Sequence, residues 1–152
     1  MNNNEMITNV IIPDGREAVK KGEFSTEATW ETLLSVEMPD SVTVIKEGAF
    51  WHCTHLESIK LSNNLKTIEK SAFFQCEALK SITLPEGLER IGFGAFMKCF
   101  GLESVEIPSS VKYIGEDAFG MCLNLKHIRI PKKTRVSKLA FRETPDVKVE
   151  RY

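Results

Sequence analysis

Residues 72–85 have the sequence A-F-F-Q-C-E-A-L-K-S-I-T-L-P, and the elements of this stretch return every 23 residues along the chain. A fixed period of this length is typical of a repeat architecture, in which each unit buries its apolar face on its neighbours. The recurring positions are the cysteines (Cys53, Cys76, Cys99, Cys122), the Ala-Phe pairs that begin at Ala49-Phe50, the leucines three residues after each cysteine, and apolar pairs such as Ile82/Leu84.

The repeat extends over almost the whole sequence of 152 residues. Regular repeats occupy about 33–141, a degenerate repeat with three extra residues occupies 1–32, and 142–152 forms a closing segment. Ile7, Val10 and Ile12 carry the first strand pattern, and Trp30 stands at the place of the cysteine. We therefore expect one domain over 1–152, with no linker.

Local patterns within one unit predict its elements. Apolar and polar residues alternate from Ser81 to Leu84, which predicts a half-buried strand that ends at the following proline. The stretch A-F-F-Q-C-E-A-L places its alanine, first phenylalanine, cysteine and leucine on one side of a short helical turn. Leu88 and Ile91 suit a compact turn or a short second strand. The expected fold class is an α/β solenoid, with a parallel β-sheet on one face, short helical or 3-10 turns opposite, and an internal stack of phenylalanines.

The unit I-x-L-P, then A-F-x-x-C, then leucine, resembles the repeat of the BspA-like leucine-rich repeat family. The resemblance is strong over 33–141 and weak over 7–32 and 142–152. It implies a right-handed leucine-rich-repeat stack and a protein-binding role, since many members are bacterial cell-surface proteins and some are adhesins that bind host matrix proteins. It favours a cell-surface or secreted location, although the start MNNNEMITNV has neither the basic nor the apolar segment of a secretory signal.

Composition excludes some classes of partner. The net charge is −1, with no basic block of the kind that binds nucleic acid. No apolar stretch is long enough to span a bilayer. We therefore expect a protein partner, no nucleic acid and no membrane insertion, and a monomer unless open solenoid ends pair.

The four cysteines could suggest a metal site, but their order along a solenoid opposes it. Successive coils stack about 4.8 Å apart, so the outer two cysteines would be roughly 14 Å apart and one zinc ion could not bind all four. Neighbouring thiols would point the same way, which is poor geometry for disulfides. We expect buried free thiols that act as small hydrophobic groups, and neither a metal nor a cofactor.

A catalytic thiol is also poorly supported. His52 and His55 flank Cys53, but residues i−1 and i+2 of a helical turn point away from the face of the cysteine. We expect both histidines to be solvated. No paired carboxylates and no glycine-rich phosphate loop indicate another catalytic site, so the sequence predicts no enzyme.

Two outer surfaces remain as candidates for partner binding. The first is the strand face, formed by Glu37, Ser58, Lys60, Ser81, Thr83, Ser104, Glu106, His127 and Arg129. It could equally be a solvated sheet that binds nothing. The second is the apolar patch, formed by Trp51, Phe74 and Met97, the residues that follow three successive Ala-Phe pairs. These side chains could form an exposed interaction site, or pack on each other and cover the coil edge.

The function expected from these features is a non-catalytic protein-interaction module that binds through the solenoid surface, with host matrix proteins as ligands suggested by the resemblance. A cytosolic scaffold or regulatory leucine-rich repeat protein is the alternative.

Overall fold

The structure is a computed structural model that describes residues 8–152, which form a parallel β-solenoid of about six turns. The predicted strand residue Ile7 lies outside the described part. In chain order the elements are β1 Asn9–Ile11, β2 Ala18–Val19, α1 Glu27–Trp30, β3 Ser35–Glu37, β4 Val44–Ile45, β5 Ser58–Lys60, β6 Thr67–Ile68, β7 Arg90–Ile91, β8 Ser104–Glu106, β9 Tyr113–Ile114, β10 His127–Ile130, β11 Arg135–Val136 and β12 Lys148–Arg151.

The strands form two sides of the stack. One side, here called the second sheet, has six strands in the order β11-β9-β7-β6-β4-β2. The other, the front side, has two three-stranded sheets, β1-β3-β5 and β12-β10-β8. All pairs are parallel and join equivalent positions of successive coils, so Ile68 lies between Ile45 and Ile91. The predicted parallel sheet is confirmed, and the segment that suited a turn or short strand contains β7.

The front side is interrupted at residues 81–84, between β5 and β8. These residues alternate as the neighbouring strands do, yet they form no strand, and their amides donate no hydrogen bond to a described backbone carbonyl. The nearest link is the bond from the Glu103 N–H to the Lys80 carbonyl, at 3.1 Å. Ile82 and Leu84 still enter the core, at 8% and 7% exposure. The strand predicted for this coil is therefore absent, and nothing in the local sequence explains why.

The predicted helical turns are replaced by stacked tight turns. In one coil, the N–H groups of Phe73 and Gln75 donate to the next coil, to Ala95 and Met97, both at 2.8 Å. The intervening N–H of Phe74 donates within the turn, to a carbonyl three residues earlier. An α-helix would need every one of these donors for its own carbonyls. Because alternate donors bind the next coil, no helix forms there, and the described residues contain one α-helix, the four-residue α1.

A left-handed backbone at two positions shapes these turns: the residue directly before the Ala-Phe pair and the residue directly before the cysteine. The residue before Ala-Phe has a φ of 53° at Ser71 and 54° at Asp117, where other coils have Gly48 and Gly94. This conformation costs a non-glycine residue roughly 1–2 kcal/mol. At Asp117 the carboxylate is also buried, at 1% exposure, and accepts hydrogen bonds from the Arg142 guanidinium, one of them at 2.9 Å. Side-chain pairing therefore holds this turn where glycine is missing.

The repeated apolar positions form one continuous core. The phenylalanine rings stack in parallel, with centroids 5.1 Å apart between Phe73 and Phe96 and 5.3 Å apart between Phe96 and Phe119. Phe24 and Phe141 extend this column at either end. The predicted phenylalanine stack is confirmed. It joins every coil to the next through contacts that do not depend on the front side.

The irregular coils keep the same internal plan with different residues. In the first coil the three extra residues form part of α1, and Thr29, not Trp30, is buried. The last coil is one residue shorter, so Thr144 takes the position of the cysteine, and its hydroxyl donates to the Phe119 carbonyl at 2.5 Å. Arg151 binds the carbonyls of Pro131, Lys132 and Thr134 at 2.9–3.1 Å and so fastens the last strand.

Candidate functional site

The strand face is present on the front side, with one irregular coil. Seven of its predicted residues lie in strands: Glu37, Ser58, Lys60, Ser104, Glu106, His127 and Arg129. Ser81 and Thr83 are exposed but lie in the unpaired segment. The face is therefore exposed except at Arg129, which is half-buried, and it is divided into two sheets.

Charges on the strand face are paired with each other across successive coils. Lys60 lies 2.6 Å from Glu37, and this contact raises the pKa of the Lys60 ammonium. Arg129 contacts Glu106 and Glu150, each at 3.2 Å, and stacks on Tyr152 with 4.7 Å between guanidinium and ring. Exposed pairs of this kind contribute at most about 1 kcal/mol each. They leave fewer free charges for a partner than the sequence suggested.

Trp51 and Phe74 of the apolar patch contact each other, and none of the three patch residues is fully buried. The rings of Trp51 and Phe74 are stacked 6.1 Å apart at an angle of 9°. Trp51 remains 37% exposed, while Phe74 and Met97 are half-buried. The Lys98 ammonium lies over the Phe74 ring, 5.5 Å from its centroid. The two aromatic side chains therefore pack on each other and still present an aromatic surface, and a role of this surface in binding stays a prediction.

Two further aromatic side chains belong to this surface and were missed from the sequence. Trp30 lies edge-on to Trp51 and His52, with ring centroids 6.1 and 5.1 Å away. His52 was expected in solvent, but it is half-buried and stacks on Trp51 at 5.2 Å. The left-handed φ of 64° at His52 turns the chain here, which a helical assumption could not show. The Trp30 indole N–H and His52 Nδ1 have no hydrogen-bond partner within the described residues.

The cysteines are buried and bonded rather than reactive. Each Sγ donates to the phenylalanine carbonyl of the preceding coil, as from Cys99 to Phe73 at 3.2 Å and from Cys122 to Phe96 at 3.1 Å. Burial raises the pKa of the Cys53 and Cys122 thiols to about 12, and it raises the pKa of the Cys76 and Cys99 thiols well above their ordinary value. A thiol that keeps its proton at neutral pH is a poor nucleophile. The cysteine column thus satisfies buried carbonyls, a role beyond that of a small hydrophobic group.

Neither a metal cluster nor a spanning helix is found in residues 8–152. No three His, Cys, Asp or Glu side chains in this range converge as metal ligands. The helix there is too short to cross a bilayer.

Known proteins share both the repeat and the fold. Residues 28–148 match the family model described as the BspA type leucine rich repeat region, in six copies. No curated protein sequence matches the chain. Among solved structures, the chain is similar to a leucine rich repeat protein of T. pallidum, with 28% identity and a TM-score of 0.76 over 94% of this chain and 72% of that one.

Two longer proteins have a similar structure. A leucine-rich repeat protein of Bacteroides ovatus has 26% identity and a TM-score of 0.75, over 95% of this chain and 45% of its own. A leucine rich cell surface protein of Faecalibacterium prausnitzii has 27% identity and a TM-score of 0.61, over 94% of this chain and 31% of its own. The chain thus spans less than half the length of these two proteins. Since the family model covers most of the sequence and the solenoid carries its repeat, the chain belongs to the BspA-type leucine-rich repeat family.

Proposed function

We propose that the chain is a non-catalytic protein-interaction module, in which the apolar patch is the main contact and the strand face is a polar surface beside it. The observation that carries this proposal is the Trp51–Phe74 stack, an aromatic surface that the solenoid leaves 37% exposed at Trp51. Tryptophan is among the residues that contribute most to binding energy at protein interfaces.

The rigid support of this patch favours binding. Trp51 and Phe74 follow directly on Phe50 and Phe73, whose rings are stacked 5.1 Å apart in the core. The adjacent backbone is tied to the next coil, as by the bond from His52 N–H to the Phe74 carbonyl at 2.8 Å. A surface held in one geometry loses little conformational entropy when a partner binds.

The resemblance to the family supports a proposal for the ligand class and the location. We propose an extracellular protein, such as a host matrix protein, as the ligand of the intact protein, acting at the bacterial surface. The similarity to a cell surface protein of Faecalibacterium prausnitzii supports this location. The cytosolic scaffold or regulatory module remains the alternative, and it predicts no affinity for matrix proteins.

The experiment is an array of purified extracellular-matrix proteins probed with the whole chain. We expect binding to at least one protein. The affinity of Trp51→Ser/Phe74→Ser for it should be at least about tenfold lower, because truncation of a central aromatic contact typically costs 2 kcal/mol or more. The matched control is Leu123→Ser/Leu139→Ser, which removes two other exposed apolar side chains, 46% and 44% exposed.

Equal loss in both double variants would contradict the patch as the contact, and no binding to any matrix protein would favour the scaffold alternative. A third variant, Ser58→Arg/Ser104→Arg, tests the strand face by adding bulk to its two sheets. We expect a smaller loss from it than from the patch variant. Thermal melting of each variant separates lost binding from lost folding.

A further inference from the structure

The charge of the chain changes sign along the solenoid. Residues 126–152 contain nine Lys or Arg and three Asp or Glu, which gives a net charge of +6. The whole chain has 20 basic and 21 acidic residues. Residues 1–125 therefore contain 11 basic and 18 acidic residues, which gives a net charge of −7. The overall charge of −1 therefore conceals a strong asymmetry, and the expectation that no basic block is present was wrong.

Four unpaired cations are concentrated in one short stretch of this basic region. Lys132, Lys133, Arg135 and Lys138, here called the basic strip, lie within K-K-T-R-V-S-K and are all exposed. None of them takes part in an ion pair among the described residues, whereas Lys112 pairs with Glu89 on the adjoining coils at 2.7 Å. The positive charge of the strip is therefore not neutralised within residues 8–152.

The backbone beneath the strip is well fixed. Thr134 is buried, and its hydroxyl donates to the Val111 carbonyl at 2.8 Å. The Arg135 N–H donates to the Lys112 carbonyl at 3.0 Å. The Arg151 guanidinium binds three carbonyls of the same coil and adds a further positive charge. The cations thus project from a rigid coil, which reduces the entropy lost when they contact a ligand.

The change of sign favours one kind of anionic ligand. A long uniform polyanion, such as a nucleic acid duplex or a sulfated glycan, would extend from the strip towards the preceding coils, in which acidic residues outnumber basic ones, and be repelled there. A protein can present an acidic segment to the strip and neutral or basic residues to the rest. We propose that an acidic segment of the partner protein docks on the basic strip and orients the complex, an inference that rests on the proposed protein-binding function.

The test uses the whole chain and a fluorescein-labelled peptide of alternating glutamate and glycine. We expect it to bind at near-physiological salt, where distant charges are screened, and its glutamine counterpart not to bind. Reversal of the strip in Lys132→Glu/Lys133→Glu/Arg135→Glu/Lys138→Glu should weaken binding by at least about tenfold, since four exposed ion pairs are lost. The control Lys20→Glu/Lys66→Glu/Lys70→Glu/Lys80→Glu makes the same change in net charge elsewhere and should weaken it less than about threefold at near-physiological salt.

Several results would overturn the proposal. They are no binding of the acidic peptide, equal loss in both quadruple variants, and tighter binding of heparin, a DNA duplex or anionic vesicles than of the peptide. Salt-sensitive self-association of the chain that the strip variant abolishes would also overturn it, by assigning the strip to a second copy.

The matrix-protein array distinguishes the two proposals. Array binding that survives reversal of the strip overturns only the acidic-segment proposal. Strip-dependent peptide binding with no protein bound on the array contradicts the matrix-protein ligand and supports the strip as a docking site.

Discussion

The second sheet and the front side are built from the same coils, yet only the second sheet is continuous. Thr67 and Ile68 pair in register with Arg90 and Ile91, whereas residues 81–84 of the same stretch pair with neither neighbour. The phenylalanine rings pass through these coils at an unchanged spacing of 5.1 Å. The second sheet and the phenylalanine column therefore set the spacing of the coils. The front side can lose a strand without disturbing the stack.

The largest expected effect comes from breaking the phenylalanine column. Phe96→Ala should lower the free energy of unfolding by about 3–5 kcal/mol, because its ring is fully buried between rigid neighbours and the cavity cannot collapse. Urea denaturation measures the change. Phe93→Ala is the matched control, since that ring is 44% exposed, and it should cost less than about 0.5 kcal/mol. Similar costs for both variants would disprove the role of the column.

A smaller effect should separate the two sides directly. Ile91→Ala on the second sheet should cost about 3 kcal/mol, and Ile82→Ala on the front side about 2 kcal/mol. Ile91 is fully buried beside paired strands, while Ile82 is 8% exposed in the unpaired segment, where the chain can relax around the cavity. Thermal or urea unfolding gives both values. A larger cost at Ile82 would mean that the front side does carry the stack.

A third effect concerns the thiols that lie between these sides. The pKa of the Cys122 thiol is raised to about 12 from an ordinary 9.0, so above pH 9 the unfolded chain loses this proton first and the native state loses stability as pH rises. One thiol contributes about 1.4 kcal/mol per pH unit in that window. Cys122→Ser keeps a donor for the Phe96 carbonyl and removes the part of the slope that this thiol contributes, while the other three thiols keep theirs. Urea unfolding at about pH 8 and pH 10 measures it, and equal slopes for wild type and variant would refute the raised pKa.

The last test is hydrogen exchange on the wild-type chain, without any substitution. The amides of Ile82 and Thr83 lack backbone partners and should exchange with deuterium at least about 100-fold faster than the amide of Ile91, which lies in the second sheet. Hydrogen exchange read by NMR or mass spectrometry resolves the two segments. Matching protection would show that residues 81–84 pair in solution and that the front side is continuous.

Much of the core could be predicted from the period alone. Phe50, Cys76, Leu79 and Ile114 are each fully buried, as their columns require, because a position that repeats in every coil faces the same neighbours. The turns could not be predicted in this way. The spacing from Ala72 to Cys76 suits a helix, and no sequence pattern reveals that alternate N–H groups will bond to the next coil.

The candidate site was only partly predictable for a related reason. Trp51 and Phe74 follow the repeat and were found from it, whereas Trp30 and His52 join the patch through local departures from it. In the first coil the insertion moves Trp30 out of the core, and at His52 the left-handed backbone turns the ring onto Trp51. The outer surface is where repeats differ, so the period carries least information there.

The bonded cysteine column has a consequence for where the protein can act. Cysteines without disulfide partners are typical of reducing compartments, because exposed thiolates are oxidised to sulfenic acid and beyond. Here each Sγ is buried against a carbonyl, and at Cys53 the pKa of about 12 leaves almost no thiolate for an oxidant to attack. The solenoid can therefore keep four reduced cysteines in oxidising surroundings, so its cysteine content is compatible with an extracellular location.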